Sequence, residues 1–325
     1  MAKIAHENLI KALANGEFVS GQLLAQQLNV TRASISKYIS TLKDMGLDIY
    51  SVKGKGYKLA TPLNLLSSQK ISSLIGTDVN APEIEVHNII DSTNNYLLRR
   101  LPNSVSQGQV CLAEYQDAGR GRRGRKWISP FGSQIYLSMY WRLSQGLSSA
   151  MGLSLVTAIA LSDAIKKVCD IEVQLKWPND VYIQGVKVAG ILIDLEGQPL
   201  EESHSVIGVG LNIDMPSIAG AEIDQAWTDL SEHCHKPIDR NAISAALISA
   251  LWQRLAEHEE HGISNMLDEW HHQDLYLNKP VKLLTGENIT KGICKGVNQQ
   301  GALLLEVNGQ IKTIYGGEVS LRGDA

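Results

Sequence analysis

No stretch of this chain stays apolar for long enough to span a bilayer. The longest candidate, Met151 to Leu161, is broken by Gly152, Ser154 and Thr157 and soon meets Asp163. The opening residues, Met-Ala-Lys-Ile-Ala-His-Glu, lack the apolar segment of a secretory signal. Cysteine is scarce: Cys111, Cys169, Cys234 and Cys294 are scattered, with no CxxC pair. They read as reduced thiols, so a cytoplasmic protein with no membrane partner is expected. His233-Cys234-His235 has no matching CxxC or HxxxH, and adjacent residues do not easily share one ion, so no resident metal is expected. His271-His272 reads as surface. What remains is ordinary globular composition, 325 residues with 44% apolar and 20% charged, enough for two or three domains.

Negative charge is missing from one end. The chain carries a net charge of −4, yet residues 1–60 hold eight Lys/Arg and four Asp/Glu. The rest is therefore acidic by eight, and a basic head on an acidic body is expected to meet a polyanion. Ile4 to Ala14 reads as a helix stopped by Asn15-Gly16. Ser20 can cap a second helix, with Leu24, Ala25 and Leu28 inside. Thr31 can cap a third, with Ile35, Ile39 and Leu42 on one side and Gly46 ending it. The opposite side shows Arg32, Ser34, Ser36 and Lys37, which suit phosphates and base edges. A hairpin with the tip Lys53-Gly54-Lys55-Gly56 follows. This order resembles a winged helix-turn-helix, which implies operator DNA as a partner through Arg32, Ser34, Ser36, Lys37, Lys53 and Lys55. The plainer alternative is a three-helix protein-interaction module. Pro62 marks a boundary at about residues 60–66.

The densest feature is Gly119-Arg-Gly-Arg-Arg-Gly-Arg-Lys-Trp127, five cations and three glycines in nine positions. Glycines let backbone approach a ligand, and guanidiniums match carboxylate and phosphate oxygens. The segment formally fits the dinucleotide fingerprint, but Trp127-Ile-Ser-Pro-Phe-Gly132 leads into a strand, not a helix. No Gly-Lys-Ser/Thr ends it, so it is not a Walker loop either. Around it the strands Glu85–Ile90, Val110–Tyr115 and Ile135–Trp141 are expected, the last with period-two patterning. Asp91 to Asn95 can cap a helix Tyr96–Arg100 and has hydroxyls and amides to spare for a neutral polar ligand. Ser149–Val168 reads as a buried helix, and Asn241–Gly262 as an amphipathic one. Between them, strands with glycines at 190, 208 and 210 would let a ligand lie against backbone, and Lys187 would face Asn179 and Asp180 across a hairpin.

The strings GRGRRGRKW, KWPND, KVAGIL and IGVGLN, in that order behind such a head, resemble the bacterial biotin protein ligases of the bifunctional, gene-repressing form. The similarity runs over essentially the whole chain. It implies an α+β multi-domain fold. That is a winged helix-turn-helix (1–62), a central mixed sheet with helices as in class II synthetases and lipoate ligases (67–275), and a C-terminal SH3-like β-barrel (276–325). The strands Val281–Thr285, Gly292–Val297, Ala302–Val307, Ile311–Tyr315 and Glu318–Leu321, with the turn Asn308-Gly309, fit the last of these.

The resemblance also implies a reaction. Biotin and ATP, carrying Mg²⁺, give biotinyl-5′-adenylate, and a lysine of the biotin carboxyl carrier protein then takes the biotin. Ser92, Thr93, Asn94, Gln116, Gly119, Gly121, Gly190 and Gly208 would line the biotin site, with Arg120, Arg122 and Lys187 at the carboxylate. Arg122, Arg125, Lys176, Asn179, Asn212 and Trp227 would hold the nucleotide. Arg120, Arg122 and Lys187 would be catalytic, with Asp180 orienting the incoming lysine, accepting its proton, or only bonding within its turn. A homodimer forming when the adenylate orders loops 116–126, 143–149 and 197–203 is implied as well. A ligase for lipoate or another acid, and a non-catalytic sensor of biotin or biotinyl-adenylate, are the competing functions.

Overall fold

A computed structural model describes residues 2–76, 82–316 and 319–324. The basic head consists of α1 (Ala2–Leu13), α2 (Gly21–Gln27), α3 (Arg32–Asp44) and an antiparallel hairpin of β1 (Ile49–Val52) and β2 (Gly56–Leu59). The sequence marks both inner helix starts. Ser20 Oγ accepts from Leu23 N at 3.1 Å, and Thr31 Oγ1 from Ser34 N at 3.1 Å. Each such cap is worth about 1 kcal/mol. Leu9, Leu13, Leu24, Ile35, Ile39 and Leu42 form the core of this head.

That core takes in residues of the body, with Ile89 and Tyr115 packed against it and Phe131 inside it. Phe131 is only 2% exposed within it, and its N–H donates to Met45 O at 2.9 Å, just past the end of α3. The linker is also ordered: Leu63 and Leu65 pack on the head and Leu66 on the body. A helix follows, α4 (Ser68–Ile75), capped by Ser67. The sequence reading passed over it.

The body is built on β3 (Ile84–His87), α5 (Thr93–Leu98), β4 (Val110–Ala113), β5 (Gln134–Leu143), α6 (Leu153–Cys169), β6 (Gln174–Lys176), β7 (Asp180–Ile183), β8 (Val186–Glu196), β9 (Ser203–Asn212), α7 (Ser217–Gly220), α8 (Arg240–His261) and α9 (Leu267–Gln273). The strand order is β3-β4-β5-β9-β8-β7-β6. Only β3 and β4 run parallel, which makes the sheet mixed. Leu137, Met139 and Val209 of the sheet share a core with Ile159 of α6 and Leu247 of α8. Each fully buried side chain of this size contributes about 1.5–3 kcal/mol. The period-two pattern of β5 does not leave a wet face, because α5 covers it: Tyr136 and Tyr140 pack with Leu97 and Val206.

Several boundaries differ from those expected; the strand expected to reach Tyr115 ends at Ala113, and the one expected from Gly292 begins at Asn288. The strand expected to reach Ile90 ends at His87, and Ile90 makes a single bridge to Gln116. The helix expected from Tyr96 begins at Thr93, because Ser92 takes the cap. The helix expected from Ser149 begins at Leu153, after Gly152. His271 is also not simply surface. It is half-buried, and its Nε2 accepts from Val297 N at 3.1 Å, tying α9 to the C-terminal strands.

Those strands are β10 (Pro280–Thr285), β11 (Asn288–Val297), β12 (Leu303–Val307), β13 (Gln310–Ile314) and β14 (Val319–Gly323). They form an antiparallel sheet in the order β13-β12-β11-β10-β14. Asn308 and Gly309, at φ of 53° and 76°, make the expected turn between β12 and β13. Glu318, where the last strand was expected to begin, lies outside the described residues. No helix among the described residues is long and apolar enough to cross a membrane.

Candidate active site

The β3–α5 junction, the segment after β4, the β7–β8 hairpin and the middle of β9 meet at one cavity. Its wall includes Ser92, Thr93, Asn94, Gln116, Arg120, Gly121, Arg122, Lys187, Gly190 and Gly208. The first four are buried, at 3%, 4%, 4% and 8% exposure. Buried hydroxyls and amides are costly unless bonded, and these are linked. Thr93 N donates to Gln116 Oε1 at 2.9 Å, and Gln116 Nε2 to Ser129 Oγ at 3.2 Å. Ser138 Oγ lies 2.7 Å from Thr93 Oγ1 and donates to Asn94 Oδ1 at 2.5 Å.

Two glycines on β9 make room here. A Cβ at Gly208 would lie 2.2 Å from Asn94 Oδ1, and one at Gly210 would lie 2.5 Å from the Trp127 ring. Only a bare backbone lets those side chains sit against the strand.

One end of the cavity is cationic. Lys187 Nζ lies 2.6 Å from Asp180 Oδ1 and 5.7 Å from the Trp127 ring centre. Lys176 Nζ lies 3.7 Å from the other Asp180 oxygen and donates to Tyr182 OH at 2.9 Å. Asp180 therefore faces two ammoniums and holds both in place. Burial pushes the Tyr182 phenol well above its ordinary value, and Asp180 adds to the push. Arg122 Nη1 donates to Asn179 Oδ1 at 2.8 Å, and Asn179 Nδ2 to Ile191 O at 2.8 Å. Burial pulls the Arg122 guanidinium below its usual value, with Asp180 acting the other way. Arg122, Asn179 and Lys187 also line a wide groove that continues past Lys176, Asn212 and Trp227 to Tyr276 and Arg322.

On the groove, Asn212 Nδ2 donates to Thr228 O at 2.9 Å, while its buried Oδ1 has no partner among the described residues. Trp227 packs on Gly220 and donates to its carbonyl at 3.1 Å. Arg125 is exposed on the groove. Gly119 stands behind the cavity wall, where its Cβ would meet Ser129 Oγ and Trp127 O, both at 2.6 Å. Arg120 is engaged by Asp194, at 2.6 and 3.3 Å. Ser138 and Asp194 were not among the expected site residues, and Trp127 was expected only as the end of the loop. The basic loop itself contains one short 3-10 turn, Arg122–Gly124, and no helix. This agrees with the rejection of a dinucleotide fingerprint.

On the head, Arg32, Ser36 and Lys37 are exposed along α3, and Lys53 and Lys55 at the hairpin tip. Ser34 is half-buried, with its hydroxyl 2.9 Å from the capping Thr31. Phe18, which the sequence reading did not single out, is 42% exposed, with Lys55 and Lys58 each 5.7 Å from its ring.

Three family models match the chain: an HTH domain at residues 6–58, the biotin/lipoate A/B protein ligase family at 86–212, and the biotin protein ligase C-terminal domain at 276–322. The bifunctional ligase/repressor BirA of Escherichia coli (strain K12) is 45% identical over 97% of this chain and 96% of its own length. The biotin–[acetyl-CoA-carboxylase] ligase of Mycobacterium tuberculosis (strain ATCC 25618 / H37Rv) is 32% identical over 81% of this chain and 97% of its own. Among solved structures, the biotin protein ligase from Aquifex aeolicus in complex with biotin and ATP superposes with a TM-score of 0.65 at 31% identity. It covers 74% of this chain and 99% of that one.

Proposed function

The chain belongs to the family of bifunctional biotin ligase/repressors, and from that premise we propose that it joins biotin to ATP, transfers the biotin to a lysine of the biotin carboxyl carrier protein, and represses operator DNA through its head. The observation that carries the enzymatic half is the junction. A pocket of buried neutral donors and acceptors opens, at Arg122, Asn179 and Lys187, into a groove rich in cations. A substrate with a neutral polar head and a carboxylate tail fits that change of character. Its head would bond Ser92, Thr93, Asn94 and Gln116, and its tail would reach the cations.

The first step sets a carboxylate against a phosphate. Lys187 and Arg122 offset that repulsion and stabilise charge as the phosphorus is attacked, while Lys176 and Arg125 flank the groove. Mg²⁺ carried by the triphosphate would supply charge neutralisation for the pyrophosphate leaving group. Asn212 Oδ1, a buried acceptor without a partner, would take the exocyclic amine of adenine beside Trp227. Asp180 serves here by fixing Lys187. In the second step the carrier's lysine amine attacks the acyl carbon and AMP leaves.

A lipoate ligase is the weaker reading, because the dithiolane of lipoate offers no hydrogen-bonding group to the hydroxyls and amides that line this pocket. A non-catalytic sensor of biotin alone has no use for the nucleotide-sized cationic groove, and transfer of labelled biotin to the carrier would exclude a sensor of the adenylate. Purified protein given biotin, ATP and Mg²⁺ should release pyrophosphate, and lipoate should not substitute. Gly208→Ala should raise the KM for biotin by about tenfold or more, because the new methyl drives Asn94 from its place. An unchanged KM would remove Asn94 from the binding site.

We assign residues 1–62 to operator binding, 67–275 to catalysis and 276–325 to support of the groove through Tyr276 and Arg322. Lys37, Lys53 and Lys55 would contact phosphates. Replacing any one by Ala should weaken operator binding about equally across sequences and reduce the salt slope by about 1. Repression would be exerted by an adenylate-bound homodimer. Loops 143–149 and 197–203 lie together, with Leu147 N donating to Gln198 O at 3.1 Å, and Leu200 in the second of them is 87% exposed. Sedimentation with and without biotinyl-adenylate tests this, and an unchanged mass would end it.

A further inference from the structure

Asp194 is where the pocket meets the loop. It lies near the end of β8, opposite Val206 of β9, with its side chain 22% exposed. One of its oxygens, Oδ2, accepts from Asn94 Nδ2 at 2.8 Å and from Arg120 Nη2 at 2.6 Å. The other accepts from Arg120 Nη1 at 3.3 Å. The Asn94 amide nitrogen also donates to Leu192 O at 3.2 Å. A carboxylate and a peptide carbonyl can only accept, so both require the NH₂ end of Asn94 to face them. Its carbonyl end is thereby turned to Ser138 and to the cavity above Gly208.

An asparagine amide has nearly the same shape either way round, and its partners decide which way it points. The pocket's pattern of donors and acceptors therefore depends on a residue that is not on the cavity wall. The same carboxylate is the anchor for Arg120, the first arginine of the basic loop.

We propose that Asp194 is a positioning residue for adenylate formation. It presents the Asn94 carbonyl to an N–H of the substrate's head group, and it pins Arg120, and with it the loop, beside the same pocket. This rests on the pocket being the biotin site. Because one carboxylate serves both partners, recognition of the head group and retention of the intermediate weaken together when it is lost.

The test is steady-state kinetics on Asp194→Asn with biotin, ATP and Mg²⁺, together with the rate at which labelled biotinyl-adenylate leaves the enzyme. The KM for biotin should rise about 10- to 100-fold, as expected for losing a charge-assisted hydrogen bond, while the KM for ATP stays within about threefold. Adenylate loss should speed up by about tenfold or more. Asp194→Glu should fall between the wild type and Asp194→Asn. In Asn94→Ala/Asp194→Asn the biotin KM should fall short of the product of the two single effects, since one residue acts through the other. Asp194→Ala removes both acceptor oxygens and serves if Asp194→Asn does not fold. An unchanged biotin KM, equal rises for biotin and ATP, or full multiplication in the double variant overturns the proposal. Wild-type protein is the control. If it releases no pyrophosphate with biotin, the ligase reading fails; if it does and Asp194→Asn matches it, only this proposal fails.

Discussion

Lys187→Ala should slow biotin-dependent pyrophosphate release by about 10²–10³-fold, the usual cost of removing one preorganised donor to a developing charge. The ammonium is aimed by Asp180 at 2.6 Å and stands at the end of the pocket that opens onto the groove. It is already in place before charge develops, and that pre-alignment is what makes such a group effective. The loss should fall mainly on kcat, because in the proposed site the biotin head group would keep Ser92, Thr93, Asn94 and Gln116. Lys187→Arg should restore little. A planar fork cannot replace a compact ammonium held between Asp180 and the Trp127 ring. A rise in the KM for biotin with kcat unchanged would make Lys187 a binding group only.

The second large effect concerns folding. Arg240→Met should destabilise the protein by about 3–5 kcal/mol, read as a fall of about 10 °C or more in Tm. Arg240 and Glu114 are 3% and 1% exposed and 2.7 Å apart. Arg240 also donates to Gln134 O at 2.7 Å and to Asn64 O at 3.0 Å, while Glu114 Oε1 accepts from Leu66 N at 2.5 Å. The pair thus fastens the linker to the body, beside the residue whose side chain receives the Trp127 indole N–H at 3.1 Å. Without Arg240 a carboxylate is left buried and unpaired. Glu114→Leu/Arg240→Met should be more stable than Arg240→Met alone, since it removes that charge too. A double variant as weak as the sum of the singles would show that the backbone contacts matter more than the ion pair.

Much of the site was legible because its chemistry is local in sequence. Polar residues crowd the turn after β3, glycines thin β8 and β9, and cations crowd one loop. These patterns survive without knowledge of the fold. The head was legible for a related reason: its caps, Ser20 and Thr31, act within three residues of themselves.

What escaped was long-range or depended on a neighbour. Glu114 and Arg240 are far apart in the chain, and neither carries a local sign of its partner. Asp194 reads as an acidic strand end until β8 is placed beside Asn94. Ser138 looks like one step of an alternating strand, yet it joins Thr93 and Asn94 because α5 closes over that face. Phe131 reads as part of a turn, and only the docked head shows it as core. The same contact links the segment after the basic loop to the end of α3. Ser129 bonds Gln116, and two residues on Phe131 bonds Met45.

The most direct measurement is mass analysis of a carrier-protein acceptor domain after incubation with this protein, biotin, ATP and Mg²⁺, with pyrophosphate followed in parallel. The account predicts one added biotin on a single acceptor lysine, dependent on both biotin and ATP, and none when lipoate replaces biotin. Pyrophosphate release that ignores biotin, or an acceptor modified by lipoate instead, would contradict it.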